Sequence, residues 1–210
     1  MFWIKNVVVF LLICFSLAAN SQDHTDVKLS RLGIELSNNI TSFPVTTYPQ
    51  LFYSQFHPGM DIFKSWKWNK SLKNQVWYSG NIGGYYHRFI QTAIRIYPSV
   101  EYERIFGKSF SANIGLGAGY SLAFENMETF DLQDDGTYKQ IKFVARSQYL
   151  VQFGFGCSYS LKKEDREGMR ISLRFKTFIQ GPFVSGYVPM LPVNSFMIGV
   201  SVPIKSKKNE

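Results

Sequence analysis

Between Phe110 and Phe124 every even-numbered position is apolar, while the odd positions are Ser111, Asn113, Gly115, Gly117, Gly119, Ser121 and Ala123. Side chains that alternate with period two point to opposite faces of a β-strand, so this stretch predicts a strand with one large greasy face and one face of small residues. The same grammar runs with odd parity through Tyr149–Leu161, where Tyr149, Val151, Phe153, Phe155, Cys157, Tyr159 and Leu161 oppose Gln152, Gly154, Gly156, Ser158 and Ser160. It returns in Met169–Thr177 and in Phe196–Ile204. Weaker alternation covers Val76–Tyr86 and Ile94–Phe106. Met60, Ile62, Trp66 and Trp68 keep one parity with Lys64 interrupting, and Leu32, Ile34 and Leu36 suggest a first strand. Stretches with the 3.6-residue helical period are scarce. The pattern predicts an all-β chain of about eight strands.

The connections alternate as well. Short polar segments at Asn69–Asn74, Gly107–Ser109 and Lys162–Gly168 read as tight turns. Asn38–His57, Glu125–Tyr138 and Gly181–Asn194 are longer, carry Pro, Gly and Asp-Asp-Gly signals, and read as extended loops. The connection at His87–Gln91 is short where a long one is due. Long and short connections on opposite ends are the layout of an up-and-down antiparallel β-barrel, and outer-membrane barrels pair short periplasmic turns with longer external loops. On that rule residues 69–74, 107–109 and 162–168, with the tail Lys205–Glu210, face the periplasm.

A soluble ligand-binding barrel would also alternate, and so would a β-sandwich. In a soluble barrel the apolar face turns inward and the opposite face is a charged, water-exposed surface. Here the second face is dense in Gly and Ser, which solubilise poorly but fit a crowded lumen. The greasy faces are continuous and rich in aromatics, and aromatic residues make up 17% of the chain. Tyr78, Tyr86, Tyr102, Tyr120, Phe124, Tyr149, Tyr159 and Phe196 are candidates for the girdles that bound the lipid-facing band. Size and polarity therefore favour the membrane barrel.

The amino terminus fits export. Lys5 precedes an apolar run from Val7 to Ala19, followed by polar residues, the layout of a secretory signal peptide. The run of about 13 residues is shorter than the roughly 20 needed for a spanning helix. Ala19 and Ser21 suit cleavage before Gln22, which gives a signal peptide over 1–21 and a single barrel domain over 22–210. A lipoprotein reading would acylate Cys14, but Ile13 is not the small residue expected before it. Cys157 is then the only cysteine of the processed chain, so no internal disulfide is available. The net charge of +8 suits contact with anionic lipid headgroups. Nucleic acid is not an expected partner, because an exported chain rarely meets it and no basic, aromatic recognition helix is present.

His57-Pro-Gly-Met60-Asp, Trp66-Lys-Trp68-Asn-Lys70 and Asn81-Ile-Gly-Gly-Tyr85-Tyr-His87-Arg-Phe89 resemble uncharacterised outer-membrane β-barrel proteins of Bacteroidetes-type bacteria. The resemblance is clearest over residues 57–107 and extends to the other strands in texture. It implies the fold, the compartment, outer-membrane lipid as surroundings and the barrel-assembly machinery as a partner; it implies no activity. Many such barrels end on an aromatic residue that the assembly machinery recognises. This chain runs on past Ile204, so its signal would be internal, around Phe196–Ile204.

Candidate chemistry is sparse. Glu101 and Glu103 share a face with Arg95, and neighbouring strands offer Arg170, Arg174 and Lys176, a cluster that a narrow lumen would use to neutralise buried charge. His87 is the one histidine placed to act as a general base. A Ser-His hydrolase of lipids would need a serine within reach, yet the residue two beyond His87 is Phe89, and Ser79 is about 26 Å away along an extended strand at ~3.3 Å per residue. Asp134-Asp135-Gly136 lacks the spacing of a Ca²⁺ loop, and the glycines at 115, 117 and 119 lie on a strand rather than before a helix. No catalytic, cofactor or metal site is assigned. The expected role is non-enzymatic, structural or mediated by external loops of unnamed partner. A lipid-modifying hydrolase using His87 and a soluble periplasmic small-ligand carrier are the alternatives.

Overall fold

Eight long strands close into one antiparallel barrel in this computed structural model, which describes residues 29–44, 47–126, 129–133, 136–141, 145–161, 168–183 and 188–205. In chain order the strands are β1 (Leu29–Thr41), β2 (Pro58–Lys67), β3 (Asn74–Tyr86), β4 (Gln91–Phe106), β5 (Phe110–Glu125), β6 (Thr129–Leu132), β7 (Tyr138–Ile141), β8 (Ala145–Ser160), β9 (Arg170–Gly181) and β10 (Leu191–Lys205). The barrel order is β1-β10-β9-β8-β5-β4-β3-β2, and β6 and β7 form a separate hairpin within the loop between β5 and β8. The proposed signal peptide with Cys14, His24, Asp134, Asp135, the turn residues 162–167, the loop residues 184–187 and the tail beyond Lys205 lie outside the described residues.

Closure follows from register. The row of paired residues that starts at Ile40 passes through Asn194, Thr177, Phe153, Leu116, Val100, Tyr78 and Trp66, and returns to β1 at Ser30, ten residues earlier. Eight strands at ~4.8 Å spacing with that stagger tilt by about 40°, as a small closed barrel requires.

Alternation sorts the side chains. Odd-numbered residues of β1–β5 and β10 and even-numbered residues of β8 and β9 face the lumen and are mostly buried; the opposite parity is mostly exposed. The outward face is a belt of Leu, Ile and Val, among them Leu36 at 61% and Ile82 at 59% exposed. Aromatics bound it. Trp66, Tyr78, Tyr102 and Tyr159 stand toward the end with short turns, and Tyr86, Tyr120 and Tyr149 toward the other, each 41–49% exposed. Two candidate girdle residues depart from this: Phe124 is half-buried, and Phe196 is covered by a segment of the first loop.

Three loop boundaries differ from expectation. β1 runs on to Thr41, because Asn38 and Asn39 find partners at Leu51 and His57 and need no solvent. The Glu125–Tyr138 loop holds the first strand of the β6–β7 hairpin, with Gly136 in its turn at φ +79°, a conformation that favours glycine. The Gly181–Asn194 loop is shorter than anticipated, since β10 begins at Leu191. The first loop carries a 3₁₀ turn at Tyr48–Phe52, and the 87–90 connection is a tight turn at the loop end of the barrel.

Candidate functional site

The lumen is filled in layers. Nearest the loop end, Leu150, Phe178, Leu191, Val193 and Met197 form an apolar plug with Tyr85 and Tyr97, every member at most 8% exposed. Gln91 Nε2 donates to Tyr85 Oη at 2.7 Å and to Gln180 Oε1 at 2.9 Å, and Tyr85 Oη donates to Gln180 Oε1 at 3.1 Å. The plug thus carries its own polar seam.

Below it lies the charged layer. Arg95 Nη2 meets Asp61 Oδ1 at 2.8 Å, and the other carboxylate oxygen accepts from Tyr97 Oη at 2.7 Å. The Arg95 guanidinium also lies 3.7 Å from the centroid of Phe178, so the plug and the charged layer touch through a cation–π contact. Lys176 Nζ reaches Glu35 Oε2 at 2.7 Å, and Arg174 Nη1 bridges Glu35 Oε1 at 3.2 Å and Glu101 Oε1 at 2.8 Å. Toward the turn end Glu103 takes Arg170, Arg31 at 3.6 Å and the Ser111 hydroxyl at 2.5 Å. Arg31 stacks over Trp77 at 4.3 Å.

The six charged residues singled out from the sequence therefore all turn inward, but into three ion-pair groups, Arg95 with Asp61, Lys176 and Arg174 with Glu35 and Glu101, and Arg170 and Arg31 with Glu103, the first two linked by Lys176 Nζ donating to Tyr97 Oη at 3.5 Å. Glu101 and Glu103 pair with β9 and β1, whereas Arg95, on their own strand and face, pairs across β3 with Asp61. Distance along β4 explains the division, because residues six to eight positions apart at ~3.3 Å each sit at different depths. Arg31, Glu35, Asp61 and Tyr97 were not singled out. Each stands at an inward position; a charged side chain at lumen parity is the signal that marks Arg31, Glu35 and Asp61, and no such signal marks Tyr97. Five cations face four carboxylates in these pairs, so the lumen is nearly neutral.

Little space remains. One cavity of about 20 Å³ is lined by Arg31, Trp77, Glu103, Arg170 and Arg174 among others, and a second of about 10 Å³ lies by Gln152 and Lys176. The larger holds roughly one water.

His87 follows β3 in the 87–90 turn. Its ring stacks on His57 with centroids 3.7 Å apart and planes 8° apart, and its Nε2 lies 3.5 Å from Thr41 Oγ1. Burial, and then the neighbouring His57, push its pKa down to about 4. Ser79 gives its hydroxyl to Ser65 at 2.8 Å inside the barrel and is no partner of His87. The three histidine nitrogens His57 Nδ1, His57 Nε2 and His87 Nδ1 are buried without a hydrogen-bond partner. Among the described residues no carboxylate is hydrogen-bonded to either ring to orient it as a general base, and the hydroxyl beside His87 is that of Thr41, at the 3.5 Å limit of a hydrogen bond. Cys157 is a free thiol on the outward face of β8, opposite Ala112 and Leu173. No cluster of three or more metal-ligating side chains occurs among the described residues.

No protein-family model matches the chain, and no curated protein matches its sequence. Solved structures do match in shape. Neisserial surface protein A, NspA, superposes with a TM-score of 0.55 at 11% identity, over 83% of this chain and 96% of that one. The chain shares that fold. The attachment invasion locus protein Ail of Yersinia pestis (TM-score 0.46, 13% identity, 84% and 99% covered) and the outer membrane enzyme PagL (0.47, 12%, 83% and 99%) are more distant. At these identities the likeness concerns the barrel alone, and the last two scores are too low to bear on function.

Proposed function

We propose that this chain is an integral outer-membrane β-barrel with a non-enzymatic role, structural or exerted through its external loops. The carrying observation is its inverted polarity: ion pairs and amides inside, a belt of exposed Leu, Ile, Val and aromatic residues outside. Water would solvate neither arrangement well, whereas a lipid-facing band between aromatic girdles suits both. The fold shared with Neisserial surface protein A supports the same compartment. Residues 1–21 would direct export and be removed. Outer-membrane lipid would surround the belt, and the assembly machinery would read β10 through Phe196–Ile204. The resemblance of residues 57–107 to barrels of Bacteroidetes-type bacteria suggests the setting.

The filled lumen speaks against a diffusion pore, and the pairing of its charges with one another speaks for a structural use of them. The hydrolase reading rests on His87, whose neighbours in the fold are His57 and Thr41 rather than a serine or an acid. The test is fractionation of expressing cells with the mobility of unboiled and boiled protein compared on a gel. Recovery in the outer membrane with a shift on boiling is expected. Recovery in the soluble periplasm would overturn the reading.

A further inference from the structure

The first loop does not stand clear of the barrel. Its 3₁₀ turn lies on the outer wall of β8, β9, β10 and β1. Tyr48 stacks on Phe175 at 5.1 Å and lies 6.0 Å from Phe155, and Phe52 packs on Phe196 at 5.2 Å. The level is fixed by β8, whose outward residues run from Tyr149 in one aromatic ring to Tyr159 in the other, with Phe155 between them. Six residues at ~3.3 Å each on a strand tilted by about 40° set Phe155 about 15 Å below Tyr149, well inside a lipid-facing band of roughly 25 Å.

Beside these rings the wall beneath the turn carries a polar strip. Asn38, Thr177 and Asn194 occupy outward positions, where hydrocarbon would leave their hydrogen bonds unmade. The loop supplies them. Tyr48 Oη donates to Thr177 Oγ1 and Thr177 Oγ1 to Asn194 Oδ1, both at 2.7 Å. Asn194 Nδ2 donates to Ser42 O at 3.0 Å. Asn38 Nδ2 donates to Leu51 O at 2.7 Å, and Asn38 Oδ1 accepts from His57 N at 2.9 Å. The opposite face of the segment is bare and apolar, with Phe52 at 65%, Tyr53 at 75% and Phe56 at 70% exposure. No Asp, Glu, Lys or Arg occurs between Glu35 and Asp61, in a chain that is 18% charged.

We infer that Tyr48–Phe56 is a membrane-buried strap: its inner face, together with Ser42, caps the polar strip of the wall, and Phe52, Tyr53 and Phe56 contact the acyl chains of the bilayer. The inference rests on the outer-membrane reading above. It extends the lipid contact of the barrel from the strands to a loop, and it is carried by depth, by the absence of charge and by continuity with the apolar belt. A water-exposed loop would have no use for three bare aromatics on an uncharged segment.

Site-directed spin labelling in phosphatidylcholine vesicles tests it. In a Cys157→Ala background, a nitroxide is placed at Tyr53→Cys or Phe56→Cys, with Leu116→Cys in the belt and Lys108→Cys in a turn as references. The ratio of accessibility to oxygen over a polar nickel chelate should match that at Leu116 and exceed that at Lys108 at least about tenfold, because hydrocarbon excludes the chelate. Water-like strap labels beside a lipid-like Leu116 label would overturn the strap and leave the barrel reading standing. Water-like values at Leu116 too would overturn the barrel reading and the strap with it. Spin–spin broadening at Tyr53 that vanishes on dilution with unlabelled protein would assign the surface to a second copy and overturn lipid contact. Phe56→Cys keeps the test decisive where Tyr53→Cys yields no heat-modifiable barrel.

Discussion

Arg95 and Asp61 are joined at 2.8 Å although a whole strand, β3, separates them. The residue between them in the paired row is Gly83, and a Cβ there would overlap Asp61 Oδ1. The glycine is the gap through which the guanidinium reaches. Both charged side chains have no exposed surface, so removing one partner strands the other.

Arg95→Met or Asp61→Leu alone should each cost about 3–5 kcal/mol, the range for breaking a buried pair, while the two together should cost markedly less than the two single losses combined. Urea unfolding in detergent micelles, followed by tryptophan fluorescence, measures both. Gly83→Val should resemble the single mutants. Additive losses would show that the pair does not act as a unit.

Much of the architecture is legible in the alternation of β5 and β8, where one parity is apolar throughout β5 and, from Tyr149 on, in β8. β9 and β10 are harder to read near the loop end because the rule inverts there. Phe178 and Val193 are apolar yet face the lumen, and Thr177 and Asn194 are polar yet face outward. Both inversions have one physical basis: the plug needs apolar side chains inside, and the strap needs polar partners outside. Neither the plug nor the strap has a local period, so the sequence shows only the broken alternation. The ion-pair network was half legible for a related reason. Parity marks which charges turn inward, but the ten-residue stagger decides which of them meet, and register is a property of the closed barrel rather than of any strand.

The stacked histidines predict a pH response with a definite sign. The His87 ring in the fold titrates at about 4, against 6.5 for an ordinary histidine, because burial and then His57 disfavour its cation. Between those values the unfolded chain takes up the proton and the folded one resists it, so this contribution to stability is complete above about pH 6.5 and is lost as pH falls toward 4. The urea midpoint should therefore drop between about pH 7 and pH 5, and His87→Phe, which keeps a ring against His57, should flatten that part of the profile. An unchanged slope would place the response elsewhere.

The filled lumen predicts electrical silence. The plug around Phe178 and Met197 and the ion pairs beneath it fill the lumen among the described residues, and the cavities of about 20 and 10 Å³ beside them are smaller than a hydrated ion. Purified protein in planar bilayers should show no steady open conductance. Phe178→Ala with Met197→Ala should cost several kcal/mol, about 2–5 for each truncation, before it opens a path, because Arg95 and Lys176 still bar the layer below. A stable conductance step from the unmodified chain would contradict the packing described.

The strap predicts a rescue. Its two ends already lie together, since Asn39 N donates to His57 O at 2.9 Å, so replacing residues 43–55 by a short Gly-Ser turn adds little closure entropy. The replacement would uncover Asn38, Thr177 and Asn194 on the wall, taking from the first two a hydrogen bond made at 2.7 Å and from Asn194 the one its Nδ2 gives to Phe43 O at 3.2 Å. A buried polar group left unsatisfied costs about 1–3 kcal/mol, so the shortened barrel should unfold at distinctly lower urea and lose its mobility shift at lower temperature. Adding Asn38→Leu, Thr177→Val and Asn194→Leu turns the same strip into ordinary lipid-facing wall and should restore most of the loss. In the unshortened chain these three changes should destabilise, because the groups left unpaired are then Tyr48 Oη, the Leu51 and Ser42 carbonyls and the His57 amide. That reversal of sign separates a strap that caps a polar wall from a loop that merely rests on it, which would leave the two backgrounds responding alike.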